Sequence, residues 1–253
     1  MHQGNKARSS TQTEFSAEAW RPMNPIAHNL QSIREEIGKA AEECGRAPGD
    51  VLLLAVSKTF PPETIAEAVR AGQTRFGENR IQEAEGKIPL FGPDPKLEWH
   101  LIGHLQSNKA RRAAELFDVI HSVDSLKLAS RLDQAAGEAG RTLSVLLQAD
   151  LAGEETKFGA TAEEVRALLE AAAGWPNLRV DGLMTIPPFF DDPARSRPYF
   201  ERLRRLREEL ESERPGCLGR RHLSMGMSHD FAEAIREGAT IVRVGTAIFG
   251  TRA

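Results

Sequence analysis

The stretch VLLLAVSK, residues 51–58, is a short apolar run that ends in a serine and a lysine. A continuous apolar run of this length is typical of a strand that is buried on both faces, as in parallel sheets. Apolar residues recur at helical spacing over residues 25–45 before it, and a second helical pattern covers residues 61–71 after it. The sequence therefore predicts a leading helix, a buried strand and a following helix.

The strand-then-helix unit recurs along the rest of the chain. Seven further strands are predicted at residues 74–76, 99–102, 119–123, 144–149, 180–185, 222–225 and 241–244. Eight short strands that alternate with helices favour a closed (β/α)8 TIM barrel over an open doubly wound sheet, which usually has fewer strands. We expect one α/β domain at residues 25–253, with an extra N-terminal helix. The polar leader at residues 1–24 is predicted to be a flexible tail.

The composition indicates small-molecule ligands rather than nucleic acid or membrane. Thirty-three Lys and Arg against 36 Asp and Glu give a net charge of −3, so no global positive field would attract a polyanion. No apolar run approaches the roughly 20 residues needed to span a bilayer, and the leader lacks the apolar core of a signal peptide. We therefore expect a cytoplasmic protein. No conspicuous exposed apolar patch is evident, which favours a monomer.

Two segments could bind a phosphate group. In TIM barrels, phosphates commonly bind in the loops after strands seven and eight. Residues 224–228 (SMGMS) follow the seventh predicted strand and residues 245–247 (GTA) follow the eighth, and both offer hydroxyls and backbone N–H groups. Turn glycines and a helix N-cap at Ser228 would explain the same residues without a ligand.

Lys58 continues the period-two face formed by Leu52, Leu54 and Val56, so it is predicted to emerge at the functional rim of the barrel. Partial burial would lower the pKa of its amine, and the neutral amine is the form that condenses with an aldehyde. The alternative is a lysine that merely extends into solvent from the end of a strand.

Arg243 is predicted to face opposite to Val242 and Val244, and its charge requires an acceptor. It could support a ligand or pair with a carboxylate on a neighbouring strand. His100 and His104 have a zinc-ligand spacing for a helix, but they fall in and after a predicted strand, so no metal site is predicted. A reactive lysine with a phosphate site suits either a class I aldolase or a pyridoxal phosphate protein, and spacing does not separate these.

Seven segments along the chain resemble one known family. They are AVSKT at 55–59, FGEN at 76–79, WHLIGHLQSNK at 99–109, SVDS at 122–125, GLMTIP at 182–187, LSMGMS at 223–228 and VRVGTAIFG at 242–250. In this order they are similar to the motifs of the pyridoxal phosphate homeostasis protein family. The resemblance covers about residues 25–250. It implies the barrel of fold-type III pyridoxal phosphate enzymes, related to the N-terminal domain of alanine racemase, with pyridoxal 5′-phosphate (PLP) as the cofactor.

The resemblance also implies roles for individual residues. Lys58 would hold PLP as a Schiff base, an aldimine, and Arg243 would face the pyridine nitrogen. Ser224, Gly245 and Thr246 would surround the phosphate. Asn79 and the neighbourhood of His100 and His104 would line the cofactor face, and Met225 and Met227 would pack near it.

The same resemblance favours a carrier over an enzyme. Racemases of this fold take a tyrosine acid/base from a second domain, which we do not expect in a chain ending at Ala253, and Tyr199 lies in a charged helical segment. An arginine at the ring nitrogen would also weaken the cofactor as an electron sink. We expect a non-catalytic protein that contributes to intracellular PLP homeostasis, with PLP-dependent apo-enzymes as partners. The alternative is a weak amino-acid racemase.

Overall fold

The computed structural model describes residues 25–153 and 158–250, so the tail predicted at residues 1–24 lies outside the described residues. Eight parallel strands close into a barrel in chain order. They are β1 (Leu52–Val56), β2 (Arg75–Glu78), β3 (Glu98–Leu101), β4 (Val119–Val123), β5 (Leu143–Gln148), β6 (Leu178–Met184), β7 (His222–Met227) and β8 (Ile241–Val244). The first and last strands pair in parallel, with Leu54 opposite Arg243. The predicted TIM barrel is confirmed.

Helices surround this barrel. They are α1 (Pro25–Glu43), α2 (Pro62–Arg70), α3 (Ile81–Lys87), α4 (Ala110–Leu116), α5 (Leu126–Glu138), α6 (Ala162–Ala171), α7 (Arg197–Glu213), α8 (Phe231–Arg236) and α9 (Thr246–Phe249). The extra N-terminal helix, α1, buries Ile26, Leu30, Ile33 and Ile37, which share one face at helical spacing. None of the described helices has both the length and the apolar character to cross a membrane.

Alternation along the strands divides the apolar residues between two cores. The larger core lies between strands and helices and contains Ala55, Phe76 and Trp99. A smaller cluster inside the barrel contains Leu54, Leu146, Met184 and Ile241. Because successive side chains of a strand point to opposite faces, residues two positions from this inner cluster also face the barrel interior. Arg243, two residues after Ile241, is one of them.

The turn after β7 differs from the sequence-based expectation. Ser228 was a candidate N-cap, but α8 begins at Phe231 and Asp230 occupies the N-cap position. The reason is that β7 extends to Met227, two residues further than predicted. The hydroxyl of Ser228 instead accepts a hydrogen bond from the N–H of Gly245 at 3.2 Å. Ser228 therefore joins the loops that follow β7 and β8.

Candidate functional site

Lys58 lies just beyond the carboxyl end of β1, half-buried at the rim of the barrel. The backbone on either side of it is fixed. The N–H of Ser57 donates to the carbonyl oxygen of Gly77 on β2 at 3.0 Å, and the N–H of Thr59 donates to Oε2 of Glu83 at 2.8 Å. Thr59 has a positive φ of 67°, a conformation that a β-branched residue adopts only when its surroundings enforce it.

A buried group of charges anchors this segment. We call Ser57, Glu78, Glu83 and Lys87 the flanking cluster. Nζ of Lys87 donates to the carbonyl oxygen of Ser57 and to Oε1 of Glu78, both at 3.1 Å, and lies 3.6 Å from Oε2 of Glu83. The hydroxyl of Ser57 donates to Glu78 at 2.7 Å. Burial raises the pKa of Glu78, against the opposing effects of Ser57 and Lys87. The flanking cluster therefore contacts the chain on both sides of Lys58.

Arg243 is buried inside the barrel, on the strand next to β1. Its Nη1 donates to the hydroxyl of Ser224 at 2.7 Å, and its Nη2 donates to the carbonyl oxygen of Thr185 at 3.0 Å. Burial lowers the pKa of Arg243 to about 10, with a small opposing effect from Asp230. Of the carboxylates in residues 25–153 and 158–250, none lies within ion-pair distance of this guanidinium, and both of its hydrogen-bond acceptors are neutral.

Two buried histidines, His121 and His100, are connected to Ser224 by close contacts inside the barrel. Nδ1 of His121 lies 3.0 Å from Oγ of Ser224, and Nε2 of His121 lies 2.8 Å from Nδ1 of His100. Nε2 of His100 is buried without a hydrogen-bond partner, and its nearest carboxylate oxygen is Oε1 of Glu98 at 3.6 Å. Burial lowers the pKa of His121 well below its usual range. His121 was not predicted as a site residue. A histidine in the middle of the predicted strand at residues 119–123 was the feature of the sequence that could have indicated it.

The loops after β7 and β8 meet next to β1. The hydrogen bond from Gly245 to Ser228 joins the two loops. A Cβ atom at Gly245 would lie 3.2 Å from the carbonyl oxygen of Val56, so this loop contacts the end of the strand that precedes Lys58. Thr246 is exposed at the start of α9. The structure therefore brings the predicted phosphate loops and the predicted reactive lysine to one end of the barrel.

Asn79 and His104 lie on the same rim, after β2 and β3. Both line a cavity of about 470 Å³. The ring of His104 stacks on Phe158 with centroids 3.6 Å apart, and its Nδ1 lies 3.8 Å from Oδ2 of Asp124. His100 is elsewhere, buried inside the barrel. The two histidines that were predicted to lie near the cofactor are therefore separated, with His104 at the rim and His100 inside the barrel. In the part of the chain that the structure describes, no cluster of three or more metal-binding side chains is found.

Met225 was predicted to pack near the cofactor. Its side chain is fully buried in the larger core, between the strands and the helices. The reason is strand alternation, because Ser224 faces the barrel interior and its neighbour must face outward. Met227 lies half-buried at the end of β7, and its N–H donates to Oδ1 of Asp230 at 2.7 Å.

Comparison with known proteins agrees with this architecture. The family model described as "Alanine racemase, N-terminal domain" matches residues 24–253. The pyridoxal phosphate homeostasis protein of Vibrio alginolyticus is 45% identical over 233 residues, which cover 91% of this chain and 99% of that protein. The protein of the same name from Aquifex aeolicus is 46% identical over 223 residues, 88% of this chain and 96% of that protein.

A solved structure shows the same fold. PipY of Synechococcus elongatus PCC7942, solved with PLP bound, is 44% identical, covers 89% of this chain and 100% of its own, and has a TM-score of 0.78. Sequence, length and barrel all agree, as the seven motifs predicted. The chain therefore belongs to the pyridoxal phosphate homeostasis protein family, and its barrel is that of the alanine racemase N-terminal domain.

Proposed function

We propose that this protein binds PLP at the rim formed by β1, β7 and β8 and takes part in PLP homeostasis. The observation that carries the proposal is the convergence of Lys58, Arg243 and the Gly245 loop on neighbouring strands. PLP carries an aldehyde, a phosphate and a pyridine nitrogen on one rigid ring, so its site must present partners for all three at once. The names of the curated relatives and the PLP-bound PipY structure support the same ligand.

Lys58 is the proposed covalent partner. Its neutral amine adds to the aldehyde carbon, the oxygen leaves as water, and a Schiff base remains. The addition of water reverses the reaction, which a carrier requires. The half-buried position of Lys58 supports this role, because removing water from an amine favours its neutral form. The flanking cluster holds the neighbouring backbone and so restricts where the amine can reach.

The phosphate is proposed to bind where the loops after β7 and β8 meet. Gly245, Thr246 and Ser228 supply backbone N–H groups and hydroxyls there. Ser224, which the resemblance assigns to the phosphate, has its hydroxyl engaged by Arg243 and His121, so we propose that it serves the ring-nitrogen side of the site instead. Asn79 and His104, on the opposite side of the rim, are proposed to line the remaining face of the cofactor.

Arg243 supports a carrier rather than a catalyst. With a pKa of about 10 it stays protonated at neutral pH, so it can donate to the pyridine nitrogen but has no proton to give up readily. An unprotonated ring is a weaker electron sink, which disfavours carbanion chemistry. We propose reversible storage and release of PLP to apo-enzymes without robust turnover. The alternative, a weak racemase, would exchange the α-hydrogen of L-alanine or L-serine in heavy water and form the D-isomer.

The absorption spectrum of the purified protein tests the proposal. We expect the band of a PLP Schiff base after PLP is added, and borohydride reduction should fix the cofactor on the peptide that contains Lys58. Lys58→Ala should abolish the band and the adduct. Lys39→Ala, which removes an exposed lysine of α1, is the matched control and should keep both. A band that survives in Lys58→Ala would refute the assignment.

A further inference from the structure

A line of polar side chains runs through the inside of the barrel from β8 to β3. It consists of Arg243, Ser224, His121, His100 and Glu98, which we call the barrel relay. Its first four members are buried, and its last member pairs with Arg75, whose Nε lies 2.9 Å from Oε2 of Glu98. A buried polar chain in a core that could be apolar requires a reason beyond stability.

The two end groups, the guanidinium of Arg243 and the carboxylate of Glu98, determine the direction of the hydrogen bonds between them. Arginine only donates, so the oxygen of Ser224 accepts from Arg243 and its own proton is available for Nδ1 of His121. His121 then carries its proton on Nε2 and donates to Nδ1 of His100. His100 in turn carries its proton on Nε2, which faces the carboxylate of Glu98. In this arrangement each ring carries one proton, and every donor points from Arg243 towards Glu98.

The opposite arrangement is unfavourable. If His121 donated to Ser224 from Nδ1, the serine oxygen would receive two donors and its proton would lose the acceptor that the structure supplies. His100 would then donate from Nδ1, and the bare lone pair of its Nε2 would face a carboxylate oxygen 3.6 Å away. Burial disfavours an imidazolium at His121. An imidazolium at His100 would donate from Nδ1 to His121 and reverse the direction, so the protonation of His100 is the decisive observable.

This direction has a consequence for Arg243. Its acceptors, Ser224 and the carbonyl of Thr185, are neutral, so they fix the orientation of the guanidinium without neutralising its charge. Only two of its five N–H groups are used by these bonds. The carboxylate of the relay is that of Glu98, which lies at the other end from Arg243. Hydrogen bonds that are aligned in one direction strengthen one another.

We infer that His121 and His100 are positioning residues for PLP, which act through Ser224 to hold Arg243 against the ring nitrogen. The inference rests on the proposed function. Without the relay, the hydroxyl of Ser224 could turn its proton elsewhere, and the guanidinium would lose a fixed acceptor. The ring nitrogen of PLP would then lose its defined donor while the Schiff base at Lys58 could still form.

The first experiment measures the protonation of the two histidines of the relay in the protein without cofactor. Nitrogen NMR of the protein labelled in its histidine side chains should show His121 and His100 as neutral rings protonated on Nε2. An Nδ1–H tautomer or an imidazolium at either position at neutral pH would overturn the inference.

The second experiment compares PLP binding in His121→Phe and the wild type. The variant keeps a buried ring but removes both nitrogens of the relay. We expect its dissociation constant for PLP to rise about tenfold, the effect of losing one well-placed hydrogen bond to a charged group. We also expect the NMR signal of the PLP ring nitrogen to move towards its value in water. His121→Asn, which keeps an acceptor near Ser224, should recover part of both effects.

The control is Leu146→Ala, which removes volume from the inner cluster but none of the hydrogen bonds of the relay. It should lower stability but leave the ring-nitrogen signal unchanged. An unchanged signal and affinity in His121→Phe would refute the relay while the proposed function stands, whereas failure of the wild type to form the Schiff base would refute the proposed function itself. If His121→Phe does not fold, Ser224→Ala removes the same link and is judged by the same signals.

Discussion

Gly226 shows at the residue scale how closely the phosphate loops depend on packing. It has a φ of 89°, which L side chains rarely adopt. A Cβ atom at this position would lie 2.6 Å from Cβ of Ala234 and 2.9 Å from Cα of Phe231. Both neighbours belong to α8, so the glycine allows that helix to pack against the end of β7. The loop that carries Ser228 begins at this contact.

Gly226→Ala should therefore destabilise the protein through strain and through overlap, by about 2–4 kcal/mol. Gly140→Ala is the matched control, because Gly140 also has a positive φ, 65°, but nothing lies within 4 Å of its Cβ position. We expect the control to cost only the backbone strain, about 1 kcal/mol. Denaturant unfolding of the two variants measures the difference. Equal losses would mean that crowding at Gly226 is unimportant.

At the scale of the elements, the sequence identifies all eight strands because buried parallel strands leave an unmistakable apolar pattern. β4 and β8 are predicted to the residue. The turn after β7 is not, because β7 pairs irregularly with β8 and extends to Met227, and no local pattern reveals such a register shift.

In the candidate site too, features of a single strand could be predicted from the sequence and contacts between strands could not. Lys58 and Arg243 could be located from alternation along a single strand. The contacts between Arg243, Ser224 and His121 could not, because they join three strands and His121 lies 103 residues before Ser224 in the chain. The flanking cluster was not predicted either, since its charges come from β2 and α3 and meet Ser57 only in the folded barrel.

The flanking cluster makes a prediction for these elements. Lys87→Met should leave the buried carboxylate of Glu78 without its cation, and removing one partner of a buried ion pair costs about 3–5 kcal/mol. Lys87→Met combined with Glu78→Gln should recover part of the loss, because no uncompensated charge then remains. Arg112→Ala, which breaks exposed ion pairs with Glu85 and Glu115, should cost no more than about 1 kcal/mol. A loss below that value in Lys87→Met would show that the cluster does not stabilise the fold.

At the scale of the whole molecule, the barrel interior contains both an apolar cluster and a set of buried polar side chains. The inner apolar cluster is small, and much of the remaining interior is occupied by Arg243, His121, His100 and their partners. His121 is buried on folding, so its protonation links the stability of the entire domain to pH. His121 contributes with a definite sign. Its pKa is lowered in the folded state, chiefly by burial and further by the positive charge of Arg243.

Below pH 6.5, the unfolded chain takes up a proton at His121 that the folded protein does not, so the free energy of unfolding falls as the pH is lowered. The expected contribution is about 1.4 kcal/mol per pH unit. Denaturant unfolding at pH 7.5 and 5.5 measures it, and His121→Phe should lose less stability across this interval than the wild type. Other groups, including His222 and Glu78, titrate in both proteins, so the difference between the two slopes isolates His121. Identical slopes would mean that His121 takes up its proton over the same pH range in the folded and the unfolded protein, which would contradict its burial as a neutral ring in the barrel relay.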